Sequence, residues 1–170
     1  MSRPDREMTL CFLVRESGLS REVVLAAKKG GKWDYLNGYG GKVEGGQSVE
    51  DAVLDELSKE SSVVAAATDL KYRGYIDFHV AEELFGEGKG RNHRCHIYVL
   101  EKWQGQPCET KEMGQPEWYC VRSLPFDRMW SDDRYWVEQV LVYDQRVYGE
   151  VYLGIKREVT KMSVRFVDVI

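Results

Sequence analysis

Residues 7–15 (EMTLCFLVR) and 22–27 (EVVLAA) are rich in apolar and β-branched residues and predict two strands. Glu16–Arg21 lies between them with Gly18 in the turn, so the pair predicts a hairpin. Residues 28–46 are dense in Lys and Gly and predict a loop containing a short strand. Ser48 suits an N-cap, with Asp51 three residues on as its capping-box partner, and a helix is predicted over Val49–Ser61. Residues 71–80 and 93–102 predict two long strands, and residues 81–92 (AEELFGEGKGRN) an acidic, then glycine-rich, loop. Residues 116–122 predict a further strand. Residues 132–142 predict a second helix capped by Ser131 or Asp132, with Trp136, Val137, Val140 and Leu141 at helical spacing. The tail alternates like strands over 145–153 and 162–169. There is no internal repeat, low-complexity segment or linker. The sum is one domain over 1–170 of the α/β (α+β) class, a mixed β-sheet with two helices that can layer as an α/β/α sandwich.

The first helix carries two carboxylates on its apolar face. At ~100° per residue, Glu56 and Glu60 fall within about 40° of each other and share a side with Val49, Ala52, Val53 and Leu57. Acidic groups placed there must be paired, protonated or bound to a cation. Mg²⁺ prefers a few carboxylates plus substrate phosphates, so the pattern predicts a divalent-metal site and phosphate chemistry. The preceding stretch NGYGGKVEGG (Asn37–Gly46) is neither a P-loop, since it lacks GK[ST], nor a dinucleotide fingerprint, since Val43 stands where a third glycine is needed. Asp55 and Lys59 lie on the flank of the helix as an i,i+4 pair.

Composition narrows the partners. Of 170 residues, 43% are hydrophobic and 31% charged, and the formal net charge is −4. Bulk charge therefore predicts no nucleic-acid polymer and no membrane as partner, whereas a small anion can meet metal and local cations. Lys28, Lys29 and Lys32 predict solvated cations of which one, taken as Lys28, reaches a phosphate. The start MSRPDREM has no apolar h-region, and no apolar run spans a membrane. Cys11, Cys95, Cys108 and Cys120 form no CxxC pair and predict reduced thiols in a cytoplasmic protein. Asp132 and Asp133 cap a helix or, facing a pocket, share a proton and so both donate to and accept from a purine edge. His79, His93 and His96 read as structural.

Residues 41–63 resemble the Nudix box, in which G, five residues, E, seven residues and R-E-aliphatic-x-E-E-x-G-aliphatic follow one another. Gly41, Glu56, Leu57, Glu60 and Val63 match with no gap. LNGYGGKVEGGQSVEDA, LPFDRMWSDDRYW and the final VRFVDVI are similar to segments of the MutT-like oxidised purine nucleoside triphosphatases. The resemblance implies a Nudix fold. It also implies Mg²⁺-dependent (or Mn²⁺-dependent) hydrolysis of nucleotides such as 8-oxo-dGTP or 2-oxo-dATP to monophosphate and pyrophosphate; separately, the chain is expected to be a monomer. It further implies metal binding by Glu56, Glu60, the Gly41 turn carbonyl and Glu112, with Glu56 either ligating metal or orienting water. Thr9, Asn37, Phe78, Met113, Trp130, Asp132 and Asp133 are similar to its base pocket.

The box departs from the pattern at Gln47, Asp55, Lys59 and Ser62. Gln47 and Asp55 cannot form the family's Glu–Arg pair, and Asp55 can pair with Lys59 instead. Lys59 puts a cation where a metal-binding carboxylate is expected, which predicts weaker metal affinity; Glu44, Glu50 or Glu112 are candidates to substitute. Two alternatives stay open: a nucleotide-binding module with little catalysis, and a hydrolase of another nucleoside diphosphate derivative.

Overall fold

The computed structural model describes residues 3–31, 34–81 and 92–170. Lys32 and residues 82–91 of the predicted loop lie outside them. β1 (Arg6–Ser17) and β2 (Ser20–Ala27) form the expected antiparallel hairpin. The other strands are β3 (Leu36–Asn37), β4 (Lys71–Val80), β5 (Asn92–Leu100), β6 (Glu117–Cys120), β7 (Arg146–Leu153) and β8 (Val159–Val167). They make an eight-stranded mixed sheet in the order β3-β2-β1-β5-β4-β7-β8, with β6 also on β2. The β1–β5 and β4–β7 pairings are parallel.

Strand alternation divides β1 between two cores. Leu10, Phe12 and Val14 pack on one face with Trp136, Val137, Val140 and Leu141. Cys11 and Leu13 pack on the other with Val53 and Leu57 of helix α1 (Val49–Ser61). The apolar stripe of α1 is thus buried as predicted. Ser48 caps it by accepting a hydrogen bond from the Asp51 N–H at 3.1 Å; the side chain of Asp51 returns none among the described residues.

The predicted helix over 132–142 is a correction. The segment divides into a 3₁₀ turn at Asp133–Tyr135 and a short helix α2 (Val137–Leu141), broken at Trp136 with φ −141°. The apolar residues are buried as their spacing required. Winding starts as a 3₁₀ turn because the N–H groups of Asp133, Tyr135 and Trp136 bond the carbonyls three residues back, at Trp130, Asp132 and Asp133, and the Trp136 indole N–H donates to Asp132 Oδ2 at 2.8 Å. Neither proposed cap works as one: Asp132 accepts from Trp136, and the Ser131 hydroxyl donates to the Arg157 carbonyl.

Beyond the hairpin contacts, β2 turns to new partners, and the glycine-rich strip fills the gap. Leu36 and Asn37 pair with Ala27 and Ala26 of β2, while Tyr39 and Lys42 bridge to Cys11 and Met8 of β1. A Cβ at Gly40 would lie 1.8 Å from the Thr9 carbonyl oxygen, so no larger residue fits there. This strip delivers the chain to α1 directly beside β1.

Ser62 ends α1 in the left-handed region at φ 64°, its N–H bonded to the Ser58 carbonyl at 3.0 Å. Glycine adopts that conformation without a Cβ clash, whereas other L-residues are disfavoured by about 1–2 kcal/mol. Ser62→Gly is expected to stabilise the protein by about 1 kcal/mol, raising Tm by ~2–4 °C. Thermal unfolding followed by circular dichroism checks this; a lower Tm contradicts it.

Candidate active site

Two structural levers bring the acidic groups together. The strip lays Gly40 and Gly41 against α1: the Gly40 N–H donates to Glu60 Oε1 at 2.7 Å, and a Cβ on Gly41 would meet the Glu56 carboxyl at 2.8 Å. On the other side, the Thr110 hydroxyl donates to the Glu60 carbonyl at 3.0 Å and accepts from the Glu112 and Met113 N–H groups at 3.2 and 3.1 Å. Thr110 therefore hooks the 110–113 loop onto the end of α1. The result is a set of carboxylate oxygens on Glu56, Glu60 and Glu112 within 4.8 Å of one another. Glu60 is 1% exposed. Burial first, and then its acidic neighbours, push its carboxyl up to about 7, against the opposing Gly40 N–H and Lys28. Glu56 is also held above the usual range, chiefly by burial. Three clustered hard oxygen donors with poorly compensated charge suit a divalent cation.

A cavity of about 390 Å³ adjoins this cluster, a size that accommodates a small organic ligand. Its wall includes Thr9, Lys28, Asn37, Phe78, Met113, Trp130, Asp132 and Asp133, all eight of the base-pocket and phosphate residues expected from sequence. Glu60 and Gly40 also line it, so the cavity and the acidic cluster share a boundary. The Asn37 side-chain oxygen accepts from the Gly38 N–H at 2.8 Å. Its amide NH₂ has no protein partner among the described residues.

Asp132 and Asp133 are 2% and 3% exposed. Asp133 Oδ2 has no hydrogen-bond partner among the described residues. Burial pushes the Asp132 carboxyl up to about 6, opposed by the Trp136 indole. Asp133 is raised well above its ordinary value by burial and then by Asp132. The indole N–H stabilises charge on Asp132, so the proton that the pair retains belongs on Asp133.

Other expectations fall differently. The Gly41 carbonyl accepts from the Thr9 N–H at 2.8 Å and the Thr9 hydroxyl at 3.3 Å; it is engaged with β1, and Thr9 reaches the cavity with its hydroxyl committed to the strip. Lys59 pairs with Asp55 at 2.8 Å, as expected, yet also stands 3.9 Å from Glu56 Oε1. Glu50 instead accepts from the Tyr98 hydroxyl at 3.0 Å, and Gln47 braces its own turn by accepting from the Glu44 N–H at 3.2 Å. His93, read as structural, lines the cavity, and so do Tyr35 and Cys95. No motif marked Tyr35, Cys95 or the Thr110 hook, because each acts through a contact made only on folding.

The Asp pair makes stability depend on pH. Asp132 binds its proton more tightly folded than unfolded, so stability falls as pH rises from about 4 through about 6, and the penalty persists above that. Asp132→Asn keeps an acceptor for Trp136 and removes one buried charge. It is expected to stabilise the protein by about 1–3 kcal/mol at pH 7.5 and to flatten the slope below pH 6. Urea unfolding across that range tests both; a variant less stable at pH 7.5 contradicts them.

Known proteins bear on this geometry. The oxidized purine nucleoside triphosphate hydrolase of Danio rerio is 36% identical over 138 residues, covering 79% of this chain and 78% of that protein. The protein of the same name from Mus musculus is 30% identical over 152 residues, covering 87% and 89%. The crystal structure of a mutator MutT protein from Bacillus halodurans shares the fold, with TM-score 0.71 at 21% identity over 95% of this chain and 97% of that one. A sequence model of the NUDIX domain matches residues 3–140, which include the glycine strip, α1 and the buried Asp pair, and the chain accordingly belongs to the NUDIX domain family.

Proposed function

We propose that this protein is a Nudix pyrophosphohydrolase acting on oxidised purine nucleoside triphosphates of the 8-oxo-dGTP and 2-oxo-dATP class, releasing the monophosphate and pyrophosphate. The observation that carries the reading is Glu60. It belongs to the acidic cluster and also lines the cavity whose wall holds Asp132 and Asp133. A base held at the Asp pair places its phosphates toward the carboxylates. The names of the zebrafish and mouse relatives support the same substrate class.

Nudix hydrolases generally use a divalent metal, and the acidic cluster fits one. Glu56, Glu60 and Glu112 would hold it, with Mg²⁺ the ion we favour and Mn²⁺ an alternative. Bound there, it supplies charge neutralisation on the triphosphate and a more acidic water. The chain's own groups do the rest. Protonated Asp133 donates to a base acceptor and ionised Asp132 accepts from a base donor, a combination suited to an oxidised purine edge. The Asn37 amide NH₂ adds a second donor. Trp130 and Phe78 offer aromatic surface to the ring. Lys28, exposed at the cavity wall, meets phosphate charge. Cleavage between the α- and β-phosphates adds water across the bond, leaving a hydroxyl on one product and returning the proton to solvent or a carboxylate.

We read residues 1–170 as a single domain and a cytoplasmic monomer. β7 and β8, beyond the family match, hydrogen-bond into the same sheet. All four cysteines are free, and among the described residues no helix is long and apolar enough to cross a membrane.

Pyrophosphate release with Mg²⁺ and a panel of 8-oxo-dGTP, 2-oxo-dATP, dGTP and ADP-ribose tests the reading. The oxidised triphosphates should be preferred. Glu60→Gln should lower turnover at least roughly 100-fold, more than loss of an outer-shell partner, and Asp132→Asn should shift the preference among bases. Nucleotide binding without release would instead identify a binding module, which the cation beside Glu56 favours. A preference for ADP-ribose untouched by Asp132→Asn would overturn the base assignment. Lys59→Glu restores a carboxylate beside Glu56. It should lower the Mg²⁺ concentration for half-maximal activity about two- to fivefold, the scale of an exposed charge effect; an unchanged Mg²⁺ titration contradicts this.

A further inference from the structure

We infer that Tyr35 and Arg157 form a clamp that fixes Trp130 as one wall of the base cavity and thereby sets affinity for the purine. The inference rests on the purine reading of that cavity and assigns positioning roles to two residues outside the box. Trp130 is only half-buried, and an indole at a cavity rim samples several rotamers unless a neighbour restricts it. The Tyr35 ring supplies that restriction, meeting Trp130 edge-on with centroids 5.2 Å apart and planes at 61°. Tyr35 itself lines the cavity. Behind it, the Arg157 guanidinium carbon sits 4.6 Å from the centre of the Tyr35 ring, within cation–π range.

Arg157 is tied to the same wall a second way. Its carbonyl accepts from the hydroxyl of Ser131, the residue between Trp130 and the Asp pair. The β7–β8 hairpin thus grips the cavity wall through the Arg157 backbone and through its side chain. Arg157 also occupies an unfavourable place to do so. It ends a tight turn, its N–H bonded to the Gly154 carbonyl at 2.8 Å, with φ at 62°. This is the left-handed position where hairpins favour glycine. A long cationic side chain kept at such a position points to a role for that side chain rather than for the turn. The clamp joins residues 35, 130 and 157, and it leaves the carboxylate cluster untouched, so it acts on binding and not on the chemical step.

The strained position separates a positioning role from a structural one. Arg157→Gly relieves the backbone and removes the cation. Its Tm is expected to equal or exceed that of wild type while binding of 8-oxo-dGMP, measured by titration calorimetry without metal, weakens roughly three- to tenfold. Tyr35→Ala should weaken binding by a similar factor, Tyr35→Phe should retain wild-type affinity, and Arg157→Lys should recover part of it. In turnover assays the Arg157→Gly and Tyr35→Ala variants should raise KM with kcat within about twofold of wild type, as expected for lost uniform binding. Wild-type binding with unaltered affinity in both variants overturns the clamp alone. A fall in kcat with unchanged KM also overturns it. Failure of the wild type to bind 8-oxo-dGMP removes the purine reading, and the clamp with it.

Discussion

The contact on which the rest of this structure depends is the seating of Gly40 against the backbone of β1 at Thr9. With hydrogen in place of a side chain, the strip enters the gap beside β1 and aims its N–H at Glu60. That one hydrogen bond ties the loop to the helix and one end of the cavity to the acidic cluster. A bulkier residue would displace the strip from β1, and Tyr39, bridged to Cys11 and buried over α1, would lose its place. The close packing of Gly41 on the Glu56 carboxyl repeats the same device one residue on.

A second constraint is electrostatic. Among the described residues, acidic groups are buried at two places, around Glu60 and at Asp132–Asp133, and each is compensated differently. Glu60 has a backbone N–H, the field of Lys28 and two further carboxylates, a set that a cation completes. The Asp pair has an indole N–H and no cation among the described residues, a set that a proton completes. Perturbed ionisable groups cluster at functional sites, and under the function proposed above the two kinds of compensation would serve the two ends of a nucleotide, phosphate and base.

The departures in the box are absorbed locally. Asp55 and Lys59 replace one ion pair by another on the exposed flank of α1, and Gln47 braces the turn it sits in. Ser62 is different: it holds the left-handed cap that glycine would fill more cheaply, and α1 ends at the same place regardless. Lys59 is the departure that reaches the chemistry, because its pairing with Asp55 still leaves it near Glu56.

Much was legible in the sequence for a clear physical reason. The hairpin, α1 with its Ser48 cap, and the inward glutamates follow from periodicity and local hydrogen bonding, which act over a few residues. The family resemblance pointed to seven of the cavity residues and the local lysines to Lys28, and all eight line one cavity. Local pattern failed where the backbone took another course: Asp133–Tyr135 wind as a 3₁₀ turn, and the expected helix is broken at Trp136. Thr110, Tyr35 and Arg157 carry no local signal. By itself the sequence determined which residues are apolar, which turn and which carry charge. Only the tertiary structure decided which of those charges lose their water and which distant side chains meet, since desolvation and contact depend on neighbours that the chain brings together only when folded.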